Sequence, residues 1–218
     1  PVTGEEFRVV YELTLKTAEA VRKTGVVVFP VFGVHPAEIG RLTDRMSLEE
    51  AETVMKRGLD IAAEYVENQT AFALKSGRPH YPVDEDVWET SNRILKHALT
   101  LAHDTDCALQ IHAETGPCTD VAEMAKHIGM SPKRVVKHFG IPDTPLMPSL
   151  LARLDSIPAS VQSHLAFTME SDYMDDNSRP GAVIGPKSVP RYTRKYLEQG
   201  VFREEDAWNI HAETPAKV

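Results

Sequence analysis

The chain has 218 residues, 42% of them hydrophobic and 26% charged, which is the composition of a globular protein with one substantial core. Its formal net charge of −8 argues against an extended nucleic-acid groove, although it is compatible with a small anion held by a local basic cluster. No apolar run is long enough to span a bilayer and nothing resembles a secretory signal, so we expect no membrane partner and a cytoplasmic location.

The first part of the chain predicts a helix, a strand and a second helix. Apolar residues at helical spacing predict a helix from Glu5 to Lys23, which ends at Gly25. The β-branched run from Val26 to Val31 is short and apolar on both faces, which predicts a strand buried in a parallel sheet. Ser47 precedes acidic residues and predicts the start of a helix that runs to about Val66.

The same alternation continues along the rest of the chain. We predict strands at about Ala71–Lys75, Ala108–His112, Val135–Phe139 and Ala166–Ser171, and helices near Glu85–His103, Thr119–Ile128, Leu150–Leu154 and Val189–Gln199. The Pro-rich stretch around Pro145 is a candidate for a sixth strand. Alternating strands and helices with short loops predict a parallel α/β architecture in a single domain, residues 1–218.

Four of the predicted strands lead into residues that can bind a metal or an anion. These residues are Lys75, His112, His138 and Asp172, spaced 26 to 37 positions apart. That spacing is about one strand-plus-helix unit of a (β/α)₈ barrel, in which ~250 residues are shared among eight units. Because the carboxyl ends of barrel strands share one mouth, we expect these side chains to converge as a metal-dependent hydrolase site, with Asp172 able to take a proton from a metal-activated water.

Each of these residues also has a plainer interpretation. A histidine at a strand end is often a core or loop residue, and Asp172 could bond to the backbone amides of its own loop. An unmodified Lys75 ammonium would repel a cation, so Lys75 could bind a metal only if its amine were carboxylated. Otherwise it would bind an anion or form a salt bridge.

Two loops carry candidates for substrate binding. Arg78 and His80 lie in the loop that follows Lys75, where the Arg78 guanidinium could clamp a carboxylate or a phosphate. Arg179 lies in the polar loop after Asp172, ahead of a predicted helix N-terminus that suits an anion. A rigid loop with a surface arginine explains Arg78 equally well.

Four short motifs follow one another along the chain. They are Gly33-Val34-His35-Pro36, Leu109-Gln110-Ile111-His112, Val136-Lys137-His138-Phe139 and Glu170-Ser171-Asp172. In this order they resemble the TatD family of metal-dependent hydrolases, in the amidohydrolase superfamily. The segments Arg78-Pro79-His80-Tyr81-Pro82 and Arg179 to Lys187 resemble the archaeal branch of that family.

The resemblance implies a fold, a cofactor and a reaction. The fold would be a (β/α)₈ TIM-type barrel that this chain covers only in part. The cofactor would be one or two divalent metal ions, such as zinc, manganese, nickel, iron or magnesium. A metal-bound hydroxide would hydrolyse a small-molecule or phosphodiester substrate. His112, His138 and Asp172 match metal ligands of the family, whereas His35, Arg78, His80 and Arg179 are candidates for the substrate side.

Two departures from the family pattern leave other functions open. No H-x-H occurs in the sequence, and we expect it upstream of Pro1 together with two strands. The bridging glutamate of the family aligns with Lys75, which a carboxylated lysine could replace. Without such a bridge, the chain could be a catalytically inactive barrel that serves as a binding or scaffold protein. A lactonase, amidase or phosphotriesterase activity is a third alternative, and the oligomeric state leaves no mark on the sequence.

Overall fold

The computed structural model describes residues 1–173 and 184–218, and within them it contains one six-stranded sheet. The strands lie side by side in chain order, and every neighbouring pair is parallel. They are β1 (Val31–Gly33), β2 (Ala73–Gly77), β3 (Ala108–His112), β4 (Val135–Lys137), β5 (Met147–Leu151) and β6 (Thr168–Glu170). Parallel strands in sequential order with helical crossovers form the wall of a (β/α)₈ barrel, so the predicted TIM-type α/β class is confirmed.

Helices accompany this sheet along the described part of the chain. They are α1 (Phe7–Arg22), α2 (Glu38–Thr43), α3 (Leu48–Glu67), α4 (Glu85–Asp104), α5 (Thr119–Ile128), α6 (Ile157–Gln162), α7 (Ser188–Glu198), α8 (Glu204–Trp208) and α9 (Thr214–Lys217). Short 3₁₀ turns span Gly4–Glu6 and Pro132–Arg134, and a π-helical turn spans Asn209–Glu213. Helix α3 packs on β1 and β2, and α4 packs on β2 and β3.

The main core lies between the sheet and these helices. Successive residues of a strand face opposite sides of the sheet. In β2 and β3 the fully buried side chains of Leu74, Leu109 and Ile111 therefore alternate with more polar ones, and they join a cluster that contains Leu59 of α3 and Leu95 of α4. The alternate positions, which include Lys75 and His112, face the other side of the sheet. This alternation separates the core from the surface that carries the site.

Several element boundaries agree closely with the sequence predictions. Strand β3 and helix α5 have the predicted limits. Helix α3 begins after Ser47, whose side chain accepts a hydrogen bond from the Glu50 N–H while the Glu50 carboxylate accepts one from the Ser47 N–H. This reciprocal capping box satisfies two backbone donors that the first helical turn leaves unpaired.

Two local predictions were wrong. The run Val26–Val31 is not a buried strand, because β1 begins only at Val31 and Val26, Val27 and Phe29 are exposed. In the described residues β1 pairs only with β2, so this apolar segment lies beside the sheet edge rather than between two strands. The predicted helix Leu150–Leu154 is also absent, since Met147–Leu151 forms β5, a strand buried along its whole length.

Candidate active site

Four imidazole rings meet at the carboxyl ends of β1 to β4, and we call His35, His80, His112 and His138 the histidine cluster. The ring centroids of His35 and His80 each lie 4.7 Å from that of His112, and the His138 centroid lies 5.4 Å from it. Each ring comes from a different strand end, so the parallel register brings together residues that are far apart in sequence. The structure thus places four predicted site residues in one cluster.

A glycine at the end of β2 makes room for this arrangement. Gly77 pairs with His112 in the sheet and has φ of +155°. A Cβ atom there would lie 1.8 Å from the carbonyl oxygen of His112. Only glycine therefore allows the loop after β2 to approach the end of β3 so closely.

Burial keeps the inner rings of the cluster neutral. Desolvation, helped by the neighbouring His35, His138 and Lys75, lowers the pKa of His112 to about 3. Desolvation and the nearby Lys75 likewise lower the pKa of His35 to about 4. Both rings therefore carry no charge at neutral pH and keep a nitrogen lone pair. Neutral imidazole is the form that binds transition metals.

Two carboxylates contact His138 from β6 and the residues after it. Glu170 Oε1 lies 3.0 Å from His138 Nδ1 and accepts a hydrogen bond from the Phe139 N–H at 2.8 Å. Asp172 Oδ1 lies 3.4 Å from His138 Nε2, on the other side of the ring. Burial acts to raise the pKa of Glu170, but the hydrogen bonds from His138 and Phe139 outweigh it and hold that pKa below its usual value.

Glu170 is the site residue that the sequence interpretation missed. Its second oxygen, Oε2, is buried and has no hydrogen-bond partner within the described part of the chain. The signal was present in the sequence, because Glu170 opens the acidic motif Glu170-Ser171-Asp172. That motif predicts only Asp172 as a site residue.

Lys75 lies in the middle of β2, two residues before the end of the strand rather than at it. Desolvation lowers the pKa of its amine to about 8, although the charges of Glu170 and Asp172 act in the opposite direction. The amine is therefore near these two carboxylates and partly neutral close to physiological pH. The structure brings Lys75 to the same region as the histidine cluster.

Arg78, two residues before His80, has its guanidinium fully engaged. The side chain is 2% exposed, and its nitrogens donate hydrogen bonds to Glu114, Asp120 and Asn92. Its guanidinium also lies over the ring of Trp88, 4.6 Å from the centroid. All five N–H donors thus have partners inside the protein, which does not fit the predicted role of Arg78 as a clamp for a substrate anion. Arg179 lies outside the described residues.

A buried lysine ties together the strand ends behind the histidines. Lys137 of β4 alternates with the site-facing positions, and its ammonium donates hydrogen bonds to the carbonyl oxygens of Ala113 and His138 at 3.1 and 3.0 Å. These carbonyls follow β3 and β4 directly. Lys137 therefore links the backbones that carry His112 and His138, a role that local sequence does not predict.

The donor set of this site fits a divalent transition metal. Neutral imidazole nitrogens and carboxylate oxygens are suitable ligands, and the buried Oε2 of Glu170 is a polar atom for which the described residues supply no partner. His112 Nε2 lies 2.7 Å from His80 Nδ1. In residues 1–173 and 184–218, no three His, Cys, Asp or Glu side chains are already arranged as ligands of one ion. The chemistry of the donors fits, whereas their placement requires side-chain adjustment.

Comparisons with known proteins agree with this picture. A family model described as TatD related DNase matches residues 7–218. The uncharacterized protein MJ1127 of Methanocaldococcus jannaschii is 41% identical over 224 residues, an alignment that covers 95% of this chain and 78% of the archaeal protein. None of the helices within the described ranges is long and apolar enough to cross a membrane.

Proposed function

The chain belongs to the TatD-related DNase family of metal-dependent hydrolases, and we propose that it hydrolyses phosphodiester or other ester or amide bonds at the histidine cluster. The observation that carries the proposal is the meeting of neutral imidazoles with Glu170 and Asp172 at the strand ends. Buried uncharged nitrogens beside carboxylates are the environment that a divalent cation requires.

We assign the metal-holding role to His112, His138 and Asp172, with Lys75 as a bridging ligand if its amine is carboxylated. A bound divalent ion supplies Lewis acidity and lowers the pKa of a water molecule towards ~7. The Asp172 carboxylate, whose Oδ1 lies 3.4 Å from His138 Nε2, would hold the ion and accept a proton as general base. Glu170 holds the Nδ1 side of His138, so that the Nε2 lone pair faces the site.

Carboxylation of Lys75 is supported by the burial and low pKa of its amine. The neutral amine would attack dissolved carbon dioxide, forming an N–C bond and releasing one proton, and the product would be an anionic oxygen donor. Carbon-13 NMR of the metal-loaded chain in labelled bicarbonate tests this step. A carbamate signal that disappears in Lys75→Ala would support it, and a spectrum without such a signal would exclude it.

The function is tested first by metal content and then by catalysis. The chain is purified without a chelator or a histidine tag, and its metal is measured by mass spectrometry. Hydrolysis of bis(p-nitrophenyl) phosphate is then followed before and after chelation. We expect bound metal, chelator-sensitive hydrolysis and loss of both in His138→Ala, whereas His103→Ala, which changes an exposed histidine of α4, should behave as the unaltered chain. Hydrolysis that survives complete removal of metal would contradict the proposal.

A catalytically inactive binding or scaffold role is the second candidate. It is favoured by the absence, within the described ranges, of three side chains already arranged around one ion, and by the lysine at position 75. A folded chain that takes up no metal and cleaves no ester, amide or phosphodiester would support this role. Substrate panels of these three classes also separate the phosphodiesterase proposal from other amidohydrolase activities.

A further inference from the structure

We propose that His80, in the loop after β2, is a nitrogen ligand of the metal site and shares the ion with His112. This inference rests on the proposed function, because it names a further ligand of the same site. Its direct basis is the pair of ring nitrogens that face each other, His80 Nδ1 and His112 Nε2, at 2.7 Å. At this separation the two nitrogens share a proton in a hydrogen bond, and an ion bound by both would replace that proton and move the rings slightly apart.

The loop that carries His80 is fixed to His112 at its first residue. The backbone N–H of Arg78 donates a hydrogen bond to the carbonyl oxygen of His112 at 2.8 Å. His80 follows only two residues later, with Pro79 between them and Pro82 shortly after. A short segment anchored to the backbone of His112 and restricted by prolines leaves the His80 ring few alternative positions.

The Arg78 side chain fixes the same loop from below. Its guanidinium joins the loop after β2 to Glu114 and Asp120 of the β3–α5 connection and helix, and to Asn92 and Trp88 of α4. Hydrogen bonds to carboxylates are the stronger kind, and a bidentate guanidinium also fixes orientation. Arg78 is thus a positioning residue that places His80 against His112.

The position of His80 in the cluster also agrees with a ligand role. Its ring centroid is as close to that of His112 as the His35 centroid is, at 4.7 Å in both cases. Unlike His112, His80 is solvent exposed, so it stands on the side from which an ion enters. The cluster therefore offers an inner imidazole and a rim imidazole whose ring nitrogens face each other.

Zinc binding to single variants tests the proposal. The affinity of the purified chain for Zn²⁺ is measured by competition with a chromophoric chelator, for the unaltered chain, His80→Ala, Arg78→Lys and the control His103→Ala. We expect His80→Ala to lose more affinity than the ~10–100-fold that removal of a supporting partner costs. Arg78→Lys should fall within that range, and the control should be unchanged. Added imidazole should restore binding to His80→Ala.

A spectroscopic count of ligands separates a metal ligand from a substrate contact. Pulsed electron paramagnetic resonance of the Cu²⁺-loaded chain should show one imidazole fewer in His80→Ala than in the unaltered chain. An unchanged count together with unchanged Zn²⁺ affinity would overturn the ligand role, even if the variant raised KM for a phosphodiester. If the unaltered chain binds neither ion, the proposed function itself fails together with this inference. His80 is exposed, so loss of folding does not obscure the outcome.

Discussion

Glu170 should control the metal affinity of this site through its contact with His138. Its Oε1 atom lies 3.0 Å from His138 Nδ1 and accepts the Phe139 N–H at 2.8 Å, so the carboxylate fixes both the ring and the residue behind it. With Nδ1 protonated and bonded to Glu170, His138 presents Nε2 to the site. Changing Glu170 should therefore alter which nitrogen of His138 is available.

The size of the effect follows from the bonds that each variant removes. Glu170→Gln keeps the shape and an acceptor oxygen but loses the charge. Because charge-assisted hydrogen bonds are roughly twice as strong as neutral ones, which contribute about 1 kcal/mol, we expect a loss of about 1 kcal/mol, or about fivefold in affinity. Glu170→Ala removes the contacts with His138 and with the Phe139 N–H and frees the His138 ring. The expected loss of metal affinity is ~10–100-fold.

Chelator competition measures the loss of zinc affinity. Nitrogen-15 NMR of the imidazoles measures which nitrogen of His138 carries the proton. Glu198→Gln, an exposed change on α7, serves as the matched control. Zinc affinity should be highest for the unaltered chain and the control, lower for Glu170→Gln and lowest for Glu170→Ala. The fraction of His138 protonated at Nδ1 should fall in the same order. If Glu170→Ala bound zinc as tightly as the control and kept that tautomer, the orienting role of Glu170 would be refuted.

Three further predictions concern stability. Arg78→Met should lower the free energy of unfolding by about 2–3 kcal/mol in urea titrations, because it leaves the Glu114 and Asp120 carboxylates without their cation. Hydrogen bonds from Arg78 hold the pKa of Asp120 below its usual value, so the stabilisation is present above the unfolded pKa of about 4 and is lost as the pH falls through the lower folded pKa. The difference in unfolding free energy between the unaltered chain and Arg78→Met should therefore shrink in that pH window. A difference that stays constant with pH would exclude the ion pair with Asp120 as its source. Ser47→Ala should cost about 1 kcal/mol by removing the α3 cap, with Thr53→Ala in the same helix as the comparison.

The sequence predicted those parts of the fold that depend on local chemistry. Helix α3 could be placed because Ser47 and Glu50 form a cap that depends on three residues of spacing. The segment Val26–Val31 could not be placed in the same way. Burial of a parallel strand requires neighbouring strands on both sides, and a local sequence pattern does not show whether those strands are present. Strand β5 was predicted only as a candidate in the Pro-rich stretch, and its last two residues were predicted to begin a helix. Pro148 is accommodated in the strand opposite Lys137.

The site was predictable to the extent that parallel strands impose a common direction. His112 and His138 could be paired from sequence because both follow apolar runs at the spacing of one barrel unit. The partners of Arg78 could not, because Glu114 and Asp120 lie 36 and 42 residues further along and the sequence offers no spacing rule for such contacts. Arg78 was therefore predicted to bind substrate, whereas it is the centre of an internal ion cluster with Glu114 and Asp120.

The state of Lys75 should determine how much metal the site holds. As an ammonium, Lys75 offsets one of the two negative charges of Glu170 and Asp172, which act to raise the pKa of its amine against the effect of burial. As a carbamate it would instead add a third negative charge and an oxygen donor, and a more anionic site attracts more divalent charge. Metal content should then be higher after loading in bicarbonate than after loading under carbon-dioxide-free argon, and Lys75→Ala should abolish the difference. Equal metal content in both preparations would show that Lys75 stays an amine and that the site binds its metal without a bridging carbamate.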